Sequence, residues 1–170
     1  MRPVTLYLIR HAQAGHKRDW SGPDHKRPLS IKGVAQAERI AEQFADADIT
    51  RVISSPSLRC RQTVEPLANH IGAPVVSDDS LAEETPVQRV LDLVRKLVAA
   101  EETAALCSHG DVIPELIRAL HDDGLNGDGH LASAKAGAFV LDTAAGEITR
   151  SRYVPPPEVD TTDTSWPEKH

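Results

Sequence analysis

Two side chains with affinity for phosphate follow the first apolar segment of this sequence. Residues 4–9 are mostly apolar, and the segment ends at Arg10 and His11. A guanidinium holds phosphate oxygens in a planar fork, and a neutral imidazole nitrogen can act as a nucleophile. If residues 4–9 form a buried strand, both groups lie at its carboxyl end, where open α/β sheets bind ligands. The pair alone matches many unrelated sequences, so it needs further residues to indicate a site.

Three further candidates follow in the chain, each close to an apolar segment. Arg59 ends the sequence SPSLR, Glu83 ends LAE, and His109 is the centre of SHG. In phosphoryl transfer the negative charge lies on three equatorial oxygens, which guanidinium groups and a protonated imidazole can hold. A carboxyl group can protonate the leaving group and later activate water. The predicted catalytic residues are Arg10, His11, Arg59, Glu83 and His109.

Taken singly, each candidate also has an ordinary structural interpretation. Arg10 could end a strand and Arg59 could lie on a helix surface, and SHG could be a simple strand-to-helix turn. Glu83 and Glu84 could be a solvated pair, and either could be the proton donor. Their order along the chain, each near the end of a predicted strand, favours a common site.

The elements that must position these residues alternate between strands and helices. Apolar spacing predicts a helix over 31–44 with Ser30 as its N-cap, a helix from about 58 to 71, a helix beginning at Pro86 and a helix over about 112–120. Short apolar segments predict strands at 4–9, 51–54, 75–76, 104–107, 138–141 and 148–154, with a turn at 144–146 before the last strand. This alternation predicts an α/β fold, a three-layer α/β/α sandwich with a mostly parallel central sheet.

Polar segments connect and follow these elements. Residues 13–28 are predicted to form a long loop, and 122–129 form a glycine- and aspartate-rich loop without the ligand spacing of a calcium site. Residues 155–170 are rich in proline, threonine and acids, which is typical of an exposed extension. We therefore expect one domain, 1–154, and an exposed C-terminal tail, 155–170.

Composition limits the classes of function. The chain has 170 residues with a formal net charge of −6, which disfavours general binding to nucleic acid or to a membrane. No apolar segment is long enough to cross a bilayer, and no signal-type segment precedes Arg10. The two cysteines, Cys60 and Cys107, provide no disulfide framework, so we expect reduced thiols with a packing role. These features predict a cytoplasmic protein.

Taken together, the motifs resemble the histidine phosphatase superfamily, which also contains the cofactor-dependent phosphoglycerate mutases. The resemblance extends from Leu6 to about Leu141 and is strongest to the small SixA-type phosphohistidine phosphatases. The sequence is also similar to the phosphatase half of mycobacterial proteins that fuse a Nudix domain to such a module. The supporting segments are RPLS at 27–30 with Gly33 and with Gln36-Ala37, Gln62-Thr63 after Arg59, and VIPELI at 112–117.

The resemblance implies a phosphoglycerate mutase-like fold and a nucleophilic histidine at His11. It places the acid two residues after a leucine, which selects Glu83 over Glu84. It implies a phosphatase without metal or cofactor that hydrolyses a phosphomonoester or a phosphohistidine through phospho-His11. The phosphorylated partner is then a small molecule or a phosphohistidine-bearing protein. A mutase is less expected, because Ala-Gln-Ala at 12–14 replaces the longer mutase signature.

Two alternatives remain open from the sequence. The same site could hydrolyse a nucleoside di- or triphosphate, or the protein could bind phosphoproteins as a sensor with little turnover.

Several residues around the predicted site are candidates for substrate contacts. The basic clusters at 16–18 and 25–27 form either a solvated loop or a positive rim that attracts a phosphorylated substrate. Trp20 either covers the pocket or anchors the loop. The predicted substrate-binding residues are Gln13, Lys17, Gly110 and Lys135.

Overall fold

One mixed sheet forms the centre of the computed structural model, which describes residues 2–127, 129 and 131–168. The strands in this part of the chain are β1 (Thr5–Arg10), β2 (Arg51–Ser54), β3 (Val75–Ser77), β4 (Ala104–Ser108), β5 (Asn126–Gly127), β6 (Ala138–Ala144) and β7 (Glu147–Val154). They lie in the order β3-β2-β4-β1-β6-β7-β5. The first four are parallel, and β6 is antiparallel to both β1 and β7. The predicted sheet is confirmed, with an antiparallel hairpin beside its parallel half.

Helices cover both faces of this sheet. They are α1 (Ile31–Gln43), α2 (Leu58–Ile71), α3 (Val87–Ala99) and α4 (Val112–Asp122). Buried side chains of α1 and α2 share one apolar cluster with one face of the sheet, and those of α3 and α4 share a second cluster with the other face. The predicted three-layer sandwich is therefore confirmed.

Local sequence explains where these helices begin and end. The Ser30 hydroxyl accepts a hydrogen bond from Gly33 N at 3.1 Å, as predicted for an N-cap. Gly72 follows α2 with a φ of 74°, a left-handed conformation that glycine adopts without strain. Pro86 immediately precedes α3, where its missing N–H removes no helical hydrogen bond.

Strands β1 and β4 bring two predicted site residues to the same edge of the sheet. Their parallel register pairs Arg10 with Ser108. His11 and His109 are the next residues along each strand, so the register itself sets the two imidazoles side by side. Both strands are buried on the two faces, which explains their nearly continuous apolar sequences.

Two predicted loops contain short regular structure. The segment 13–28 includes 3₁₀ turns at Lys17–Asp19 and Asp24–Lys26, which its polar composition did not indicate. The segment 122–129 includes β5, which pairs with Arg150 and Ser151 of β7. A strand of two residues shows no periodicity, so sequence patterns cannot detect it. Asp128, also in this predicted loop, lies outside the described residues.

The C-terminal segment, expected to be an exposed extension, makes specific contacts with the body of the protein. Residues 155–168 include no buried residue, but the Trp166 indole N–H lies 3.1 Å from Ala14 O and 3.0 Å from Pro28 O. Its ring packs against Trp20, with centroids 5.5 Å apart. A Cβ on Gly15 would lie 2.8 Å from this ring, so glycine is needed there. The domain boundary after Val154 stays a prediction.

The same segment also caps α1. The carbonyl of Ser165 accepts a hydrogen bond from Ile31 N, and the carbonyl of Asp163 accepts one from Lys32 N, both at 2.8 Å. The first amides of a helix have no partner within the helix, so these two carbonyls satisfy donors that would otherwise need water.

Trp20 anchors its loop, because its indole N–H donates to Pro23 O at 2.9 Å.

We predict that Trp166→Ala destabilises the protein by about 2 kcal/mol, through loss of ring packing and of hydrogen bonds to the 13–28 loop. Urea unfolding of the full chain measures this loss. Trp166→Phe keeps a ring without the N–H and should fall between the alanine variant and the wild type. An alanine variant as stable as the wild type would show that the packing of the C-terminal segment contributes nothing.

Candidate active site

A cavity of about 360 Å³ opens where β1 and β4 end. All five predicted catalytic residues line it, although they come from four separate parts of the chain. Arg10 ends β1, Arg59 lies in the first turn of α2, and Glu83 precedes α3. The other lining residues are Arg27, Glu84, Gly110, Asp111 and Lys135.

His11 is buried and uncharged. Its Nδ1 lies 2.8 Å from the carbonyl oxygen of Ala12. Because a carbonyl can only accept, Nδ1 carries the hydrogen and Nε2 keeps its lone pair. Burial lowers the pKa of His11 most, and together with the charges of His109, Arg59 and Arg10 it brings the pKa to about 3, against the opposing effect of the Ala12 hydrogen bond. A neutral imidazole with a free lone pair is the form that can attack phosphorus.

His109 is held by partners on both sides of its ring. Its Nε2 lies 2.8 Å from the Ser55 hydroxyl, and its Nδ1 lies 3.2 Å from Glu83 Oε1, at ion-pair distance but without a hydrogen bond. The ring meets that of His11 edge-on, with centroids 5.5 Å apart. These contacts fix the orientation of His109 beside the candidate nucleophile.

Arg59 is 2% exposed and carries its charge into the interior. Its Nη1 donates to the carbonyl of Asp24 at 2.9 Å, and its Nη2 lies 3.1 Å from the Asp24 carboxylate. Nη2 also contacts the carboxylate of Glu83. Two carboxylates therefore accompany one buried guanidinium, which limits the free-energy cost of its burial.

Asp24 is a site residue that the sequence analysis missed. Its other carboxylate oxygen lies 3.0 Å from Arg27 Nε, and Arg27 Nη1 donates to Gly15 O at 3.0 Å. Burial alone would raise the pKa of Asp24, but the Arg27 hydrogen bond and the charges of Arg59 and Arg27 hold it below its usual value. The available signal was the RPLS segment that begins at Arg27, three residues after Asp24, which supported the family resemblance.

Arg10 lies flat against Gly110. A Cβ at Gly110 would lie 2.6 Å from the Arg10 Cζ, so the guanidinium occupies the space that any other residue would fill. Arg10 Nη1 donates to Ser133 O at 2.6 Å, and the carbonyls of Arg10 and His11 both accept from Ala136 N at 3.1 Å. The 133–136 segment thus fixes one side of the cavity.

Two guanidinium donors of the site lack a partner. Among the residues that the structure describes, the Nε atoms of Arg10 and Arg59 are buried without a hydrogen-bond partner. Buried donors without partners are costly, and charged donors especially so. The two arginines line the cavity, and guanidinium groups bind phosphate through paired N–H donors.

The predicted substrate-binding residues divide into two groups. Gly110 and Lys135 line the cavity, whereas Gln13 and Lys17 do not. The Gln13 carboxamide oxygen accepts hydrogen bonds from Gly15 N and from Ser30, so it organises the loop. Lys17 belongs to an exposed 3₁₀ turn, and Trp20 is likewise absent from the cavity wall. Gln13 and Lys17 therefore do not contact this cavity, because the loop directs both side chains elsewhere.

The two candidate acids also differ in position. Glu83 contacts both Arg59 and His109, whereas Glu84 has a φ of 62° and its N–H donates to the Asp111 carboxylate at 2.8 Å. Both residues line the cavity, but the contacts place the Glu83 carboxylate among the phosphate-binding groups. This geometry favours Glu83 as the candidate proton donor.

The cysteines lie behind the site. Both are free thiols and fully buried, and neither lines the cavity. Cys60 Sγ lies 3.5 Å from His109 Nε2, and burial raises the pKa of Cys107 well above its usual value. The contact with the imidazole and the absence from the cavity wall fit a packing role.

Neither a metal cluster nor a membrane-spanning helix is found within 2–127, 129 and 131–168. No three His, Cys, Asp or Glu side chains there form a group that could hold a metal ion. No helix in that part is long and apolar enough to cross a membrane.

Comparison with protein families tests the resemblance. Residues 6–85 match the family model of the Histidine phosphatase superfamily (branch 1), a range that includes His11, Arg59 and Glu83. The resemblance to the histidine phosphatase superfamily is confirmed. An 8-oxo-(d)GTP phosphatase of Mycolicibacterium smegmatis is 29% identical over 167 residues, which cover 92% of this chain and 51% of the relative. The chain thus spans about half the length of that curated relative.

Solved structures share the fold. The protein histidine phosphatase SixA, complexed with tungstate, superposes with a TM-score of 0.72 at 21% identity, covering 90% of this chain and 97% of SixA. A putative phosphohistidine phosphatase SixA from Agrobacterium tumefaciens has a TM-score of 0.64 at 27% identity, covering 84% and 93% of the two chains. The predicted phosphoglycerate mutase-like architecture is confirmed by these superpositions.

The low pKa of His11 predicts a specific pH dependence of stability. Between pH 6.5 and about 3 the unfolded chain binds a proton at this histidine and the folded protein does not, so the free energy of unfolding falls as the pH falls. Each pH unit in this window costs about 1.4 kcal/mol. From pH 7 to pH 5 the wild type should therefore lose about 2 kcal/mol more than His11→Gln.

Urea unfolding of both proteins at the two pH values measures this difference. The exposed residue His70 provides the control, because His70→Gln should keep the wild-type pH dependence. Parallel pH curves for His11→Gln and the wild type would contradict a neutral, buried His11.

Proposed function

We propose that this protein is a phosphatase that hydrolyses a phosphomonoester or a phosphohistidine through a phospho-His11 intermediate, without a metal ion. The single observation that carries this proposal is a neutral imidazole in one cavity with the guanidinium groups of Arg10 and Arg59, of which Arg59 is buried. Two cations next to an uncharged nucleophile suit a phosphoryl substrate, since the cations bind the negatively charged oxygens while the nucleophile attacks phosphorus.

Arg10 and Arg59 bind the phosphoryl oxygens in this mechanism. The cavity wall carries the cationic side chains of Arg10, Arg27, Arg59 and Lys135 and the carboxylates of Glu83, Glu84 and Asp111. The charge of the transferring group lies on its equatorial oxygens, and fixed donors stabilise that charge without reorganisation. His109 lies beside the nucleophile and orients the same group.

His11 then attacks phosphorus with the Nε2 lone pair. An Nε2–P bond forms while the bond from phosphorus to the leaving oxygen or nitrogen breaks, and the leaving atom takes up a proton. The hydrogen bond from Nδ1 to Ala12 O supports the positive charge that develops on the ring. Water next attacks phosphohistidine, phosphate leaves, and the electron pair returns to Nε2.

Glu83 supplies and recovers the proton. As a carboxylic acid it protonates the leaving group, and as a carboxylate it takes a proton from the attacking water. Its side chain is 47% exposed, so it can exchange protons with solvent between the two steps. A bound phosphoryl group competes with Glu83 for Arg59, which frees the carboxyl group for this role.

A nucleoside di- or triphosphate is the second candidate substrate. The M. smegmatis 8-oxo-(d)GTP phosphatase aligns with 92% of this chain, which supports a nucleotide. The basic loop that contains Arg27 lies at the cavity and suits a substrate with several phosphates.

His11→Ala should abolish phosphate release, with a loss of about a thousandfold or more, because no other nucleophile replaces the imidazole. Phosphate release is measured with a phosphohistidine protein, nucleoside diphosphates and simple phosphate esters. His70→Ala, which removes an exposed histidine, should keep wild-type rates. Full activity in His11→Ala would refute the mechanism. Phospholigand binding without any turnover in the wild type would favour the alternative of a phosphoprotein sensor.

Glu83→Gln and Glu84→Gln separate the two acids. We expect Glu83→Gln to lower turnover of an alkyl phosphate by about 10²- to 10⁴-fold and Glu84→Gln to have little effect. The p-nitrophenolate anion leaves without protonation, so stopped-flow assays of Glu83→Gln with p-nitrophenyl phosphate should show a burst followed by slow phosphoenzyme hydrolysis. The reverse ranking of the two variants would assign the proton transfer to Glu84.

A further inference from the structure

A second cavity lies beneath the C-terminal segment and shares a residue with the catalytic cavity. Its volume is about 550 Å³. Lys135 lines both cavities, so the two cavities adjoin at this residue. The body contributes Gln13, Lys32, Gln36 and Ala134 to its wall, and the tail contributes 156–159, Thr161 and Thr162.

Two cations line this second cavity without a carboxylate partner. Within the described part of the chain, neither Lys32 nor Lys135 lies at ion-pair distance from an acidic side chain. One carboxylate, Glu158, is present in the wall, so the two lysines leave an excess of positive charge. Such an arrangement suits an anion better than a neutral or cationic group.

The positive field is continuous from one cavity to the other. Partial burial lowers the pKa of Lys135 first, and nearby cations lower it further: Arg10, Arg27, Arg59 and Lys32. The side chain of Lys135 therefore feels both the phosphoryl-binding arginines and the lysine of the second cavity. A ligand with one anionic group in each cavity would relieve this repulsion at both ends.

The shape of this cavity is fixed by its surroundings. Carbonyls of Asp163 and Ser165 hold the tail to the first turn of α1, which carries Lys32. Because those carbonyls occupy the first amides of α1, the helix N-terminus is not available to an anion, and side chains must bind it. On the other side, Ala136 is tied to the carbonyls of Arg10 and His11, which sets the position of the adjacent Lys135.

We propose that the second cavity is a subsite for a second anionic group of the substrate, with Lys135 and Lys32 as its ligands. This inference rests on the proposed phosphatase function and narrows its substrates to those whose leaving group carries a carboxylate or a second phosphate. The transferred phosphoryl group lies against His11, and the leaving group extends past Lys135 beneath the tail. The amide groups of Gln13 and Gln36 line the same cavity and could donate further hydrogen bonds.

The test compares matched phosphate esters that differ only in the group at the chain end opposite the transferred phosphoryl group. Butyl phosphate, 4-phosphooxybutanoate and butane-1,4-diol bisphosphate carry a methyl group, a carboxylate and a phosphate there, and longer chains of the same series sample the distance. Calorimetry with His11→Ala measures binding without turnover, and steady-state kinetics with the wild-type chain measure kcat and KM. The carboxylate and phosphate arms show which anionic group the subsite prefers.

Of the carboxylate and phosphate series, we expect the one that binds better to bind at least about fivefold more tightly than the alkyl phosphate of the same length. Lys135→Gln and Lys32→Gln should each reduce that preference, and the double variant should abolish it, mainly through KM. Lys96→Gln is the matched control, since Lys96 is an exposed lysine of α3 that lines neither cavity, and it should keep the preference.

The outcomes separate the two proposals. The subsite would be overturned if ligands with and without the second anionic group bound equally at every length. It would also be overturned if Lys96→Gln lost the preference as much as Lys135→Gln and Lys32→Gln do. His11-dependent turnover without that preference would leave the phosphatase function intact and refute the subsite alone. A lysine-dependent preference without any phosphate release would support the subsite and refute the phosphatase function.

Discussion

The buried charge of Arg59 is the interaction on which the site depends. An isolated cation inside a protein is strongly unfavourable, so a 2% exposed guanidinium has to be accompanied by anions. Asp24 provides a carboxylate and a carbonyl, and Glu83 provides a second carboxylate. One of these partners, Asp24, is itself held by Arg27, whereas the other is half exposed and free to leave. The protein can thus keep Arg59 charged while a substrate replaces only Glu83.

This arrangement links the C-terminal segment to the chemistry through ordinary contacts. Trp166 packs on Gly15 and donates to Ala14 O, and Arg27 donates to Gly15 O from the other side. Arg27 positions Asp24, which in turn positions Arg59. A polar loop that buries little apolar surface beyond Ala14 depends on such external anchors to hold one conformation. The tail supplies them, although it contains no buried residue.

Much of the fold and of the candidate site could be predicted because each depended on local patterns. Helix α2 begins and ends at the predicted residues, since Ser57 and Gly72 border an uninterrupted helical spacing. The five catalytic candidates follow or precede apolar strands, and parallel strands necessarily gather their carboxyl ends at one edge. Asp24 and the docking of Trp166 could not be predicted, because both depend on contacts between residues far apart in the chain. The part that Gln13 plays in the loop could not be predicted either, because its oxygen accepts from Ser30, which lies far from it in the chain.

The electrostatic design also explains why a histidine rather than a stronger base occupies position 11. A lysine there would be charged at neutral pH unless its pKa fell by several units, and the charges of Arg10 and Arg59 would repel it. An imidazole needs a much smaller perturbation, since its ordinary pKa already lies near neutrality. Burial does most to lower it to about 3, and the surrounding cations act in the same direction, so charges that suit a phosphate also favour a neutral ring. The cationic cavity and the burial of His11 therefore act together to keep the candidate nucleophile uncharged.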